Sequence, residues 1–274
     1  GIPNSKFAEK TSVFFNSIKH IFPFLKQLDI RIYSKNTFPH SAGIASSASG
    51  MSAIALCLCD IENQNFDSFS TEDEFFQKAS YVARLGSGSA CRSQYSGLVI
   101  WGETNGGSNL FGTKLSQNIN PVFENYHDSI LIVDSGQKKV SSTIGHGLMN
   151  SNPFSAARVD QANSNINKLL PVLKSGNLTE FIDIVESEAL TLHAMMMTSS
   201  PYFLLMKPHT VSIIDEIWKY RIETKVPICF TLDAGPNIHL LYPHAYTDEV
   251  QKFINSDLLK FTNNNTVIHD KVGS

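Results

Sequence analysis

The chain has 274 residues, 42% hydrophobic and 17% charged, which is material for one large or two moderate domains and excludes a disulfide-stapled miniprotein. Its 22 Lys and Arg against 25 Asp and Glu leave a net charge of −3, so there is no general basic footprint for nucleic acid. No run approaches the ~18 apolar residues of a membrane span, and Cys57, Cys59, Cys91 and Cys229 lack the CxxC or His spacing of a zinc site, which reads as free thiols in a reducing cytoplasm.

The chain opens Gly1-Ile2-Pro3-Asn4-Ser5-Lys6, without the basic-then-apolar layout of a signal peptide. Phe7, Phe14, Phe15, Ile18 and Phe22 fall at helical spacing over 6–22. Leu28, Ile30 and Ile32 alternate with Asp29 and Arg31, which predicts a strand at 28–33. A small-residue stretch from Phe38 to Gly50 runs into a closely packed helix around Met51–Leu58. Thr71-Glu72-Asp73-Glu74 has capping-box spacing and opens a helix through Arg84. Strands are expected at Leu98–Trp101 and Ile130–Val133. Pro153 suits the first position of a long helix that Ser175-Gly176-Asn177 stops. Helices follow over about 179–198 and 211–223, strands over 228–232 and 238–242, and a last helix over 245–260. The class is α+β, with a boundary near Asn125 that separates 1–125 from 126–274.

Four segments can carry chemistry. Pro39–Gly50, a Gly- and Ser-rich turn entering a helix, offers free backbone N–H groups and the hydroxyls of Ser46, Ser47 and Ser49 to a phosphate. A helix cap that needs small residues for steric reasons is the competing reading, and the Lys of GxxxxGK[ST] is absent. In Gly86-Ser87-Gly88-Ser89-Ala90-Cys91-Arg92-Ser93, the fork of Arg92 matches a carboxylate or phosphate, while a plain turn with a surface arginine fits equally well. Asp233, at the end of a strand on Asp233-Ala234-Gly235-Pro236-Asn237, suits a general base, although Asp is also a good turn residue. Lys138, Lys139, Ser141 and Ser142 can meet a polyphosphate or form a solvated loop. His193 beside Met195, Met196 and Met197 reads as a buried histidine among gap-filling methionines more readily than as a metal ligand.

In combination these motifs resemble a known family. Pro39-x-x-x-Gly43-Ile44-Ala45-Ser46-Ser47-Ala48 looks like the phosphate-binding loop of the GHMP kinase superfamily. Gly86–Ser93, Val140-Ser141-Ser142-Thr143 and Asp233–Asn237 are similar, in order, to motifs of the mevalonate diphosphate decarboxylases within it. The wording at Asn36–Ser41 and Glu188–Met197 resembles the Bacteroidetes-type branch most closely.

The resemblance implies a two-lobed fold, with a ribosomal S5 domain 2-like first lobe and a ferredoxin-like second lobe flanking an active-site cleft. It implies that ATP phosphorylates the tertiary hydroxyl of mevalonate 5-diphosphate, and that phosphate and carbon dioxide then leave to give isopentenyl diphosphate. Asp233 would act on that hydroxyl. Arg92 would hold the substrate carboxylate with Ser87 and Ser89 assisting. Gly43, Ala45, Ser46, Ser47, Ser49, Lys138, Ser141 and Ser142 would contact ATP, with Ser47 at Mg²⁺. A homodimer is also implied. The family's opening Lys-Tyr-Trp-Gly-Lys type segment is not found, so residues 1–27 resemble a mid-domain stretch, and the first lobe is expected to lack its leading strands. A decarboxylase of a mono-phosphorylated mevalonate, and a non-catalytic ligand-binding fragment, are the alternatives.

Overall fold

The computed structural model describes residues 5–38, 44–104, 106–115, 119–136, 147–148 and 152–273. These form two compact units: 5–38 with 46–115, and 44–45 with the described residues from 119 onward.

The first unit is mainly helical. Helix α1 (Ser5–Ile18) buries Phe14 and Ile18 and ends earlier than its periodicity predicts. The amides of Ile21 and Phe22 both bond the Ile18 carbonyl, and Pro23 opens a 3-10 turn. The residue before a proline avoids helical geometry, and Phe22 is non-helical at φ −121°. Helix α2 (Ser46–Phe66) presents Ala48, Met51, Ser52, Ala55, Leu58 and Cys59 inward at three- and four-residue steps. Helix α3 (Glu72–Gly86) is capped as expected: Glu74 N–H donates to Thr71 Oγ1 at 3.2 Å, and Glu74 Oε2 accepts from Ser70 N–H at 2.8 Å. Its inward Ala79, Val82 and Ala83 are small and fully buried, so α3 can lie close to α2.

The strand expected at 28–33 does not form. Leu28, Ile30, Ile32 and Tyr33 are exposed, and no ladder partner exists among the described residues. Alternation sets the faces of a strand, but pairing needs a second row of N–H and C=O groups. The expected strand at 98–101 shortens to β1 (Val99–Ile100), which pairs antiparallel with β2 (Thr113–Lys114).

In the second unit, β3 (His127–Leu131), β4 (Cys229–Leu232), β5 (Ile238–Tyr242) and β6 (Val267–Lys271) form an antiparallel sheet in the order β4-β5-β3-β6. Its helices are α4 (Ser155–Ser175), α5 (Leu178–Met197), α6 (Pro208–Thr224) and α7 (Thr247–Phe253). Helices fall between β3 and β4 and again between β5 and β6, and the central strands are the first and third of the set, which is the ferredoxin-like pattern. Leu131, Phe230, Leu232, Ile238, Leu240 and Tyr242 form its core with Ile213, Ile217, Phe253 and Leu258. Each such fully buried side chain is worth about 1.5–3 kcal/mol.

Three expectations change here. Pro153 lies outside α4, which begins at Ser155, whereas Pro208 opens α6. The last helix is regular only over α7 and continues as a π turn at Ile254–Leu258 and a 3-10 turn at Leu259–Phe261. Strand β6 has no counterpart in the sequence reading.

Candidate active site

Within the first unit, the fold joins two of the motifs. Segment 88–94 is a short 3-10 helix after α3, and Gln94 Nε2 donates to Ser52 Oγ on α2 at 2.9 Å while Ser52 Oγ donates to the Ser93 carbonyl at 3.2 Å. Gly86 brings the junction close to α2: a Cβ there would stand 2.7 Å from Met51 Sδ, so that side chain would have to shift. The N-terminal half of α2 and the Arg92 segment are thereby fixed to one another. Ser80 Oγ completes the knot, donating to the Cys91 carbonyl at 2.7 Å and accepting from Gly112 N–H at 2.8 Å.

Arg92 is exposed, its guanidinium lies 5.8 Å from the centre of the Trp101 ring, and it has no acidic partner among the described residues. A guanidinium held over an aromatic ring, with no acidic partner on its fork among the described residues, is suited to a planar anion. Ser87 and Ser89 are half-buried beside it in sequence. Cys91 is fully buried, donates to the Gly88 carbonyl, and has its pKa raised by burial against the pull of Arg92 and Arg84, so it serves packing and not nucleophilic attack.

The first turn of α2 carries Ser46, exposed Ser47 and half-buried Ser49, and it contains no acidic residue. Ser49 Oγ donates back to the Ser46 carbonyl at 3.1 Å. Ala45, directly before the helix, is held at φ +57°, where a side chain costs about 1–2 kcal/mol. Strain of this kind concentrates at ligand-holding turns. Among the described residues no three His, Cys, Asp or Glu gather as a metal cage. A hard cation here would take phosphate oxygens, waters and a hydroxyl, as the Ser/Thr hydroxyl of a P-loop does for Mg²⁺. Gly43, Lys138, Ser141 and Ser142 lie outside the described residues.

In the second unit, exposed Asp233 follows β4 on a turn that is tied at several points. Asn237, 1% exposed, accepts from Val133 and Asp134 N–H at 2.8 and 3.0 Å and donates to the Asp134 carbonyl at 3.1 Å. Thr210 in the first turn of α6 donates to the Pro236 carbonyl at 2.7 Å and accepts from Lys207 N–H at 3.1 Å. Lys207 Nζ lies 3.9 Å from Asp134 Oδ2. His193 of α5, 2% exposed, places Nε2 3.1 Å from the Asp233 carbonyl. His193 is buried as its sequence neighbours suggest, whereas its partner and the parts played by Thr210 and Lys207 are not marked by the motifs of the sequence. Their only local signal is Lys207-Pro208-x-Thr210, a helix start.

No helix is long and apolar enough to cross a membrane among the described residues. Residues 2–111 match the family described as "Diphosphomevalonate decarboxylase-like N-terminal domain", and residues 129–273 match "Mevalonate 5-diphosphate decarboxylase C-terminal domain". The diphosphomevalonate decarboxylase of Danio rerio is 30% identical over 227 residues, which cover 80% of this chain and 53% of the relative. A solved mevalonate diphosphate decarboxylase from Staphylococcus aureus superposes with a TM-score of 0.78 at 24% identity, over 100% of this chain and 78% of that one. A structure described as "MDDEF in complex with MVAPP, AMPPCP and Magnesium" does so with a TM-score of 0.80 at 24% identity, over 99% and 78%. These likenesses carry the two-lobed α+β GHMP kinase fold. The chain spans 58% and 53% of two curated relatives it matches, those of Ganoderma lucidum and Danio rerio. With the second domain match alone covering more than half of its residues, the chain belongs to the diphosphomevalonate decarboxylase family.

Proposed function

We propose that this chain takes part in the ATP-dependent decarboxylation of mevalonate 5-diphosphate to isopentenyl diphosphate, ADP, phosphate and carbon dioxide. The observation that carries the proposal is the turn bearing Asp233, tied from α5, α6 and the end of β3 while its own residue stays exposed, in a chain of this family. A carboxylate so held can take the proton of the tertiary hydroxyl as its oxygen attacks the γ-phosphorus of ATP. The phosphorylated oxygen then leaves with the C3–O electron pair. The C1–C2 pair becomes the new C2=C3 bond as carbon dioxide departs.

In this reading Arg92 binds the carboxylate of the substrate, with Ser87 and Ser89 on its anionic groups. Gly43, Ala45, Ser46, Ser47 and Ser49 cradle the ATP phosphates at the start of α2, and Lys138, Ser141 and Ser142 add nucleotide contacts. Ser47 would hold Mg²⁺, which when bound offsets phosphate charge. A complex of a relative with MVAPP, AMPPCP and magnesium supports these ligands. Residues 1–125 and 126–274 are taken as the two functional lobes. The buried free thiols of Cys59, Cys91 and Cys229 support a reducing compartment, the cytoplasm.

The test is carbon dioxide release by the complete protein with ATP and mevalonate 5-diphosphate. D233N should lower kcat at least about 10²-fold, the lower bound for losing a general base; turnover at the parent rate would remove Asp233 from its role. Running mevalonate 5-phosphate in parallel reports the substrate, and preference for it would replace the diphosphate in the proposal.

A further inference from the structure

We infer that His193 is a positioning residue for Asp233, acting by a hydrogen bond from its Nε2–H to the Asp233 main-chain carbonyl. The inference rests on the role proposed for Asp233 and adds a residue to it. The contact is 3.1 Å long and joins α5 to the turn after β4, forty residues apart in sequence. A carbonyl only accepts, so the imidazole must carry hydrogen on Nε2. The same carbonyl also accepts from Gly235 N–H at 2.7 Å, which fills both of its lone pairs. His193 is 2% exposed on α5, where Ala189, Met195 and Met196 are buried as well. Burial lowers its pKa and keeps it neutral, against the pull of the Asp233 carbonyl and carboxylate.

Thr210 fixes the far side of this turn through Pro236, and Asn237 fixes its end through Val133 and Asp134. The bond from His193 falls on the backbone of Asp233 itself. Loss of that bond frees the Cα of Asp233 to shift, and a misplacement near 1 Å costs about 10²-fold in a reaction that depends on alignment. Substrate binding, assigned to Arg92 and the serines, does not pass through this bond.

The experiment compares H193M, H193Q and D233N in the complete protein, with kcat and KM measured for carbon dioxide release. Methionine fills the site flexibly beside Met195 and Met196 but donates nothing; glutamine restores an amide N–H at the reach of Nε2. Expected are a kcat about 10- to 10²-fold lower for H193M with KM changed less than about twofold, and recovery of most of that loss in H193Q. If H193M does not fold, H193N takes its place, since its shorter amide cannot reach the carbonyl. Parent kcat in the donor-less variant, with D233N inactive, overturns the positioning role. An equal loss in H193Q and H193M overturns it too, because packing alone would then be at issue. Parent-rate activity in D233N removes Asp233 from its proposed role instead, so the two failures are told apart.

Discussion

At the scale of single residues, Arg92 offers the sharpest contrast between charge and shape. Its guanidinium rests over Trp101 and has no acidic partner among the described residues, so its fork is available to a ligand. R92K keeps the charge but loses the planar fork and its stacking. R92M keeps the stem and loses both. Hydrogen bonds to a charged group contribute about 1.5–3 kcal/mol, so kcat/KM should fall roughly 10- to 10²-fold in R92M and recover only partly in R92K. Steady-state kinetics against the carboxylate substrate checks this, and a full recovery in R92K would reduce Arg92 to a point charge. The residue type and its Gly/Ser context were legible in the sequence because they are contiguous. The binding of segment 88–94 to α2 through Ser52 was not, since it joins positions 41 and 42 residues apart. His193 shows the same limit: burial was readable from its apolar neighbours, whereas its partner depends on where α5 meets the end of β4.

Secondary-structure elements were legible where their signals are local. Thr71 and Glu74 fix the start of α3 through bonds three and four residues long. Residues 28–33 and β6 fail in opposite ways for one reason. The first alternates apolar and charged residues yet finds no described ladder, while Val267-Ile268-His269-Asp270-Lys271 ends in two charged residues and becomes an edge strand by pairing with β3. Strand identity belongs to the pair and not to the segment. How elements are pinned together is also testable. Glu186 of α5, 7% exposed, takes Arg221 of α6 on both carboxylate oxygens at 2.6 and 3.0 Å and accepts Trp218 Nε1–H at 2.8 Å. Arg221 also donates to the Ile228 carbonyl just ahead of β4. E186L leaves a largely buried cation and an indole N–H unpaired, a change that costs about 3 kcal/mol or more. E186L/R221M should regain most of the loss, since it removes both charges. Denaturant midpoints of the three proteins decide it, and additive losses would show that the pair is not coupled. In the first unit, G112A should destabilise by about 1–3 kcal/mol, because its Cβ would meet the Cys91 carbonyl oxygen at 2.7 Å. A thermal melt at the parent temperature would contradict that packing.

On the scale of the molecule, histidines of the second unit pull the response of stability to pH in opposite directions. His127 stacks on Tyr242 and on His244, each with centroids 5.2 Å apart, and its Nε2 lies 2.9 Å from His244 Nδ1. That bond needs one of the two rings to supply a lone pair. Burial lowers the pKa of His127 first, and the charges of His244, Lys271 and His269 lower it further. His193 is lowered by burial as well. For both, the unfolded chain takes up its proton first, so stability falls as pH drops below the ordinary histidine value of ~6.5. His239 behaves in reverse. Burial opposes its charge, but the hydrogen bond and charge of Asp128 at 2.8 Å, with the charge of Asp233, raise its pKa. Its contribution is fully present below ~6.5 and is lost as pH rises through the raised value. Stability measured as urea midpoints should therefore decline on the acid side through His127 and His193 and on the alkaline side through His239. H127Q should flatten the acid decline without touching the alkaline one. H239Q should lower stability at pH 6 and flatten the alkaline decline, since it removes the partner of Asp128. A profile for H127Q that runs parallel to the parent from pH 5 to 7 would remove the histidine stack as a source of the acid decline; a parallel profile for H239Q would show that the Asp128–His239 pair carries no net linkage.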